Sequence, residues 1–330
     1  MKGKSVGILG MGSYVPEKVV TNFDLEKMFE TSNQWIIDRT GIRERRVVAE
    51  GEATSHLATR AAELALKDAG IGPEELDLII VATVTPDMVF PSVACLVQEN
   101  LKAVNAAAFD LTAVCSGFMY GLVTGRSFIK AGTYKKVLVI GAEALSAITD
   151  WTDRNTAILF GDGAGAAVLG ETKEGYGILG VHLGAEGAGG DLLKVPAGGS
   201  RMPTTEETIR QRLHYTHMDG NEVFKFAVKI MGEAANRALE DAGLSAADIT
   251  YLVPHQANMR IILSAAKRLG VPMERVIVNV DKFGNTSAAS IPIALDEGLK
   301  SGRIKNGDVL VLVGFGGGLT WGASVIRWYK

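Results

Sequence analysis

"ALKDAGIGPEELDLIIVA" (65–82) and "ALEDAGLSAADITYLVPH" (238–255) are two versions of one passage, set 173 residues apart in a chain of 330. Ala, Leu, Asp, Ala and Gly match at that single offset, which is about half the chain. The same shift lays "VLVIG" (137–141) over "LVLVG" (310–314), each an apolar strand ending in glycine. Self-similarity at one long offset marks a duplicated unit, so two related α/β halves are expected. The shift also brings the helix that opens at Cys115 near "GNTSAAS" (284–290), and the two helices should start side by side at a pseudo-twofold axis.

Outward from the repeat, short apolar runs bounded by Gly, Pro or Asp predict buried strands at 5–15, 76–85, 106–111, 136–144 and 163–170, with a further one at 276–280. "TSHLATRAAELALKDAG" (54–70) predicts a helix capped by Thr54 or Ser55, with Leu57, Ala61, Leu64 and Ala65 on one face and a stop at Gly70. Strand and helix alternate, which indicates a layered α/β fold. The halves are read as 1–172 and 173–330. Within the second, 173–220 is rich in Gly, Pro and Thr and reads as an inserted loop, either a lid or wall of a site or a plain linker.

Composition excludes several classes. The chain is 47% hydrophobic and carries a formal charge of −3, which fits a globular protein and disfavours a general nucleic-acid surface. Two cysteines, Cys95 and Cys115, make neither a disulfide framework nor a zinc-type cluster. The start reads as a first strand rather than a signal peptide, no apolar run is long enough to span a membrane, and a cytoplasmic location is expected.

Cys115 follows the strand "AAAFDL" and opens a helix carrying Phe118, Met119, Leu122, Val123, Phe128 and Ile129. Such a helix is buried. A thiol at its start is either a small buried hydrophobe or a nucleophile whose thiolate the helix N-terminus favours. "VPHQANMR" (253–260) places His255 at a strand end, where α/β proteins build sites. Asn285 stands at the Gly-rich turn of "GNTSAAS", and His with Asn can donate two hydrogen bonds to one developing oxyanion. "GFGGGLTWGAS" (314–324) offers a wall of bare backbone amides but lacks the Gly-Lys-Ser/Thr of a phosphate loop. "GMGSYV" (10–15) half-matches a dinucleotide fingerprint and fails at Val15. His214 and His217 read as loop residues, and Cys95 as buried packing.

Cys in "AVCSGF", His in "PHQAN", Asn in "GNTSAAS" and the terminal "GFGGGLTWG" together resemble β-ketoacyl-[acyl-carrier-protein] synthase III, the initiating condensing enzyme of type II fatty-acid synthesis, along the whole chain. The resemblance implies a thiolase-like fold, duplicated halves in a five-layer αβαβα arrangement, and a homodimer. Elongating relatives use Cys with two histidines, where this chain has Asn285. Chalcone-type relatives end in "GFGPG", where it has Gly317.

By the same resemblance, Cys115, His255 and Asn285 are catalytic, and the amides of Cys115 and Gly317 form the oxyanion hole. Thr31, Trp35, Arg39, Arg154, Gly220 and Asn258 bind coenzyme A, with Trp35 and Arg154 sandwiching the adenine and Arg39 meeting phosphate. Phe90 reaches across the dimer interface and shortens the acyl pocket, which favours short starters. Lys225, Arg260, Lys267 and Arg268 meet the acidic carrier protein, unless they are an ordinary solvated face. The substrates implied are an acyl-CoA and malonyl-acyl-carrier protein, with no metal or redox cofactor, no nucleic acid and no membrane. A related condensing enzyme of secondary metabolism is the alternative.

Overall fold

The computed structural model describes residues 4–330. Its first half carries β1 (Val6–Tyr14), β2 (Leu78–Ala82), β3 (Ala107–Leu111), β4 (Val137–Glu143) and β5 (Gly163–Glu171). These form one sheet in the order β1-β5-β4-β2-β3, with β2 parallel to β3 and β4, and β5 antiparallel to β4 and β1. The second half carries β6 (Gly177–Ala185), β7 (Tyr251–Pro254), β8 (Val309–Gly316) and β9 (Thr320–Arg327), ordered β6-β9-β8-β7. Pairing directions repeat: β7 is parallel to β8, and β9 is antiparallel to β8 and β6.

The principal helices are α1 (Asn33–Thr40), α2 (Thr54–Ala69), α3 (Val93–Leu101), α4 (Gly117–Ala131), α5 (Gly220–Asp241), α6 (Met259–Leu269) and α7 (Ser290–Lys300). α4 and α7 pack against both sheets, α2 and α3 cover the outer face of the first, and α5 covers the outer face of the second with α6 packed beside it. The result is five layers, αβαβα. A core between the sheets holds Phe118, Met119, Leu122 and Ile291, and separate apolar cores fill each outer interface. α4 is apolar on most of its surface because both its faces meet a sheet.

Several local expectations are corrected. The stretch 173–220 is not all loop, because β6 is the edge strand of the second sheet and the counterpart of β1; His217 likewise lies in a two-residue ribbon with Lys194. Residues 276–280 do not form a strand: a single bridge joins Val276 to Leu252. There the Gln256 amide replaces a neighbouring backbone, donating to Ile277 O at 3.1 Å and accepting from Asn279 N at 2.9 Å.

α2 is capped neither by Thr54 nor by Ser55, whose hydroxyls are drawn into bonds to Thr85 O and Asp87. His56 Nδ1 accepts from Ala53 N–H instead, and Leu64 is exposed while Leu57, Ala61 and Ala65 are buried. Cys95 is exposed, since Val93, Ala94, Val97 and Leu101 make the inward stripe of α3 and turn position 95 outward.

Candidate active site

The duplication places two short turns face to face at the centre of the molecule. Val114–Ser116 leads into α4, and Ser287–Ala289 leads into α7. At matching positions Val114 has φ +47° and Ser287 has φ +46°, a region that costs non-glycine residues energy and persists only when surroundings impose it. Close approach imposes it here. A Cβ on Gly141 would lie 2.2 Å from Ala288 O, and one on Gly316 would lie 2.6 Å from the Cys115 amide nitrogen, so only glycine lets these segments meet.

Cys115 is buried at the bottom of a cavity of about 100 Å³ that is also lined by His255, Asn285, Asn258, Gly220 and Phe224. A second cavity of about 220 Å³ opens on its other side, between Val84, Val114, Leu145, Ile148 and Val195. Phe160, Leu193 and Cys115 border both. The thiol therefore borders, on one side, a chamber whose apolar wall is interrupted by His255, Asn258 and Asn285, and on the other an apolar pocket.

His255 follows β7, its amide donating to Val313 O at 2.8 Å. Its Nδ1 is 2.6 Å from Ser290 Oγ. That hydroxyl also accepts from Gln256 N–H at 3.3 Å; with its own proton given to Nδ1, the neutral ring carries its proton on Nε2, the tautomer that can donate into the cavity. Burial holds the ring neutral, lowering its pKa to about 3. Asn285 Oδ1 accepts from Ser287 N–H at 2.9 Å, so Nδ2 is the free end of the amide. Both residues are donors, matched to an oxygen that gains negative charge.

The expectation of a ready thiolate at Cys115 is corrected. Burial pushes the thiol up to about 12, outweighing the lowering effect of the neighbouring Ser287 hydroxyl, and the nearby Glu143 adds to the rise. The turn before α4 supplies less stabilisation than desolvation removes.

Gly220 and Asn258 line the chamber that holds His255 and Asn285. Asn258 caps α6, accepting from Arg260 N at 2.8 Å, and its Nδ2 donates to Arg39 O at 3.3 Å, tying the chamber to the end of α1. There Arg39 and Arg154 each lie 4.8 Å from the Trp35 ring centroid. Arg39 is thus stacked on the ring like Arg154 rather than held apart from it. Thr31 Oγ1 beside them is buried without a partner.

Gly317 follows β8 and packs on Leu193, while the residue that lines the chamber is Gly316. Phe90 is 83% exposed and borders neither cavity of its own chain. Arg260 lies 5.1 Å over the Phe224 ring at the chamber and Lys225 pairs with Glu222, whereas Lys267 and Arg268 sit about two turns further along α6, with the Arg268 stem against Gly232.

Sequence reasoning missed Ser287, Ser290, Glu143, Phe160 and Leu193. The two serines stand inside "GNTSAAS", and Glu143 ends an otherwise apolar strand, "VLVIGAE". Among the described residues no group of His, Cys, Asp and Glu could hold a metal ion, and no helix is long and apolar enough to cross a membrane.

Residues 109–187 match the family model described as 3-oxoacyl-[acyl-carrier-protein (ACP)] synthase III, and residues 239–328 match that of its C-terminal part. β-Ketoacyl-[acyl-carrier-protein] synthase III of Caldanaerobacter subterraneus subsp. tengcongensis is 60% identical, over 99% of this chain and 98% of that protein. Its counterpart in Clostridioides difficile is 58% identical, over 98% of each. The crystal structure of 3-oxoacyl-[acyl-carrier-protein] synthase III from Aquifex aeolicus superposes with a TM-score of 0.90 at 49% identity, covering 98% of this chain and 100% of that one. With duplicated halves that meet at Cys115, and likeness along nearly the whole chain, this protein belongs to the β-ketoacyl-[acyl-carrier-protein] synthase III family.

Proposed function

We propose that this chain condenses a short acyl-CoA with malonyl-acyl-carrier protein by a ping-pong mechanism, giving 3-oxoacyl-carrier protein and carbon dioxide, the step that starts type II fatty-acid synthesis. The observation that carries this reading is the placing of one buried thiol between an apolar pocket and a chamber lined by two hydrogen-bond donors. Cys115 attacks the acyl-CoA thioester, with the amides of Cys115 and Gly317 receiving the oxyanion, and coenzyme A leaves. The acyl chain lies in the 220 Å³ pocket. Malonyl-carrier protein then enters the chamber and loses carbon dioxide. His255 Nε2–H and Asn285 Nδ2–H stabilise the enolate, whose carbon attacks the acyl group and frees Cys115.

Coenzyme A reaches the thiol past Asn258 and Gly220, with Arg154 swinging off the Trp35 ring, over which it lies at 4.8 Å, so that the adenine is taken between them, and with its phosphates met by Arg39 near Thr31. Trp35→Ala should raise the acyl-CoA KM about 10-fold and leave kcat within 2-fold, as loss of a stacking surface requires; steady-state kinetics checks it. The carrier protein docks on Lys225, Arg260, Lys267 and Arg268. The working form is a cytoplasmic homodimer in which Phe90, exposed on one chain, closes the pocket of its partner. Acetyl-CoA should then acylate at least about 10-fold faster than dodecanoyl-CoA, and equal rates would exclude a short pocket.

The priming β-ketosynthase of the R1128 polyketide pathway superposes with a TM-score of 0.91 at 36% identity, covering 98% of this chain and 96% of that one, and favours a second reading as a primer of secondary metabolism. One experiment tests both. Intact mass after brief exposure to acetyl-CoA should show one acetyl, removed by malonyl-carrier protein. An adduct indifferent to that acceptor would support the second reading.

A further inference from the structure

Acylation requires a base for Cys115, and His255 does not offer one. Its Nδ1 is engaged by Ser290 Oγ at 2.6 Å, and the enolate role needs the ring proton on Nε2, which commits the ring to donating. Cys115 and Ser287 border the same 220 Å³ pocket, and Ser287 Oγ donates to Glu143 Oε1 at 3.0 Å. Glu143 ends β4 and is fully buried. Its other oxygen accepts from Thr83 Oγ1 at 3.1 Å, Val84 N at 3.1 Å and Thr85 Oγ1 at 2.6 Å. Ser287 meanwhile fixes Asn285 through its amide and holds φ +46°, strain of the kind that a site maintains when a side chain must be aimed.

We infer that Glu143 is the proton acceptor for Cys115, acting through Ser287 as a positioning and relay pair. The S–H proton passes to Ser287 Oγ while the Ser287 hydroxyl proton passes to Glu143 Oε1. The thiolate forms its bond to the acyl carbon, the bond from that carbon to the coenzyme A sulfur breaks, and the proton returns through Ser287 to the departing sulfur. Nothing else is consumed. Burial raises the Glu143 carboxyl to about 7, with the bonds from Thr85, Val84, Ser287 and Thr83 opposing the rise, so it can take up and release a proton near neutrality. The groups hydrogen-bonded to it are all uncharged, and Cys115 is the titratable group that feels its charge.

This inference rests on Cys115 being the nucleophile. The test is rapid-mixing acylation by acetyl-CoA as a function of pH, followed by intact mass, for the wild type, Glu143→Gln, Glu143→Asp and Ser287→Ala. Gln can turn its oxygen to the three donors and its amide to Ser287 Oγ, keeping the contacts while losing the base. Glu143→Gln and Ser287→Ala should acylate about 10²-fold more slowly, with acetyl-CoA affinity unchanged. The wild-type rate should rise with pH through an inflection near 7, absent from both variants and partly restored in Glu143→Asp. Malonyl decarboxylation should be the same in Cys115→Ala with and without Glu143→Gln.

Wild-type rates in either variant, a retained inflection, or equal loss of decarboxylation would overturn the relay. Ser287→Ala leaves the other three bonds of Glu143 intact and keeps the test if Glu143→Gln does not fold. A wild type that takes up no acetyl would remove the nucleophile itself, a failure distinct from that of the relay.

Discussion

Cys115→Ala should take up no acetyl from acetyl-CoA, a loss of at least about 10⁴-fold, while still decarboxylating malonyl-carrier protein. The two halves of the reaction separate because the donors that hold the enolate, His255 Nε2 and Asn285 Nδ2, are anchored by Ser290 and Ser287 rather than by the thiol. Alanine keeps the Cys115 amide for the oxyanion and removes only sulfur from a buried site. Intact mass reads the first half and release of acetyl-carrier protein the second. An acetylated variant would exclude Cys115 as nucleophile. Loss of decarboxylation along with acylation in a variant that melts like the wild type would instead refute the independence of the two half-reactions.

His255→Ala and Asn285→Ala should behave in the opposite way, accepting acetyl at near wild-type rates and stalling before condensation. Removing one preorganised donor to a developing oxyanion costs about 10²–10³ in rate, and each variant should lose that much in release of 3-oxoacyl-carrier protein. The pH dependence of this half-reaction carries a further mark. The histidine pKa is lowered to about 3 by burial, so the ring gains a proton only in strong acid. Condensation should show no inflection near 6.5, the ordinary histidine value. Rapid condensation by either variant, measured by single-turnover mixing of acyl-enzyme with malonyl-carrier protein, would remove it from the enolate site.

The sheet order of each half was not readable from the sequence, but its duplication was. An offset of 173 carries β2 onto β7 and β4 onto β8, and buried parallel strands announce themselves as short apolar runs. β6 escaped because Gly177, Gly180 and Gly184 thin its pattern, and Gly180 is bare where a Cβ would meet Ala238 O at 2.1 Å. Residues 276–280 misled in the other direction. Their apolar run is buried, yet past one backbone bond, from Ile277 N to Leu252 O, Ile277 O, Asn279 N and Val280 N bond to the Gln256 side chain, a partner that no local pattern reveals.

At the site, sequence alone determined which residue types stand together: a cysteine entering an apolar helix, a histidine at a strand end, and an asparagine in a Gly-rich turn, in halves that must meet. Tertiary structure decided their chemical states. Whether Cys115 is thiol or thiolate depends on desolvation against nearby donors and charges, and both come from residues far away in the chain. The proton on His255 Nε2 depends on Ser290, and in the link from Cys115 through Ser287 to Glu143 the serine lies 144 positions from the glutamate. Residue identity is local, but electrostatic energy sums over everything within a few ångströms, and only the folded chain determines what that neighbourhood contains.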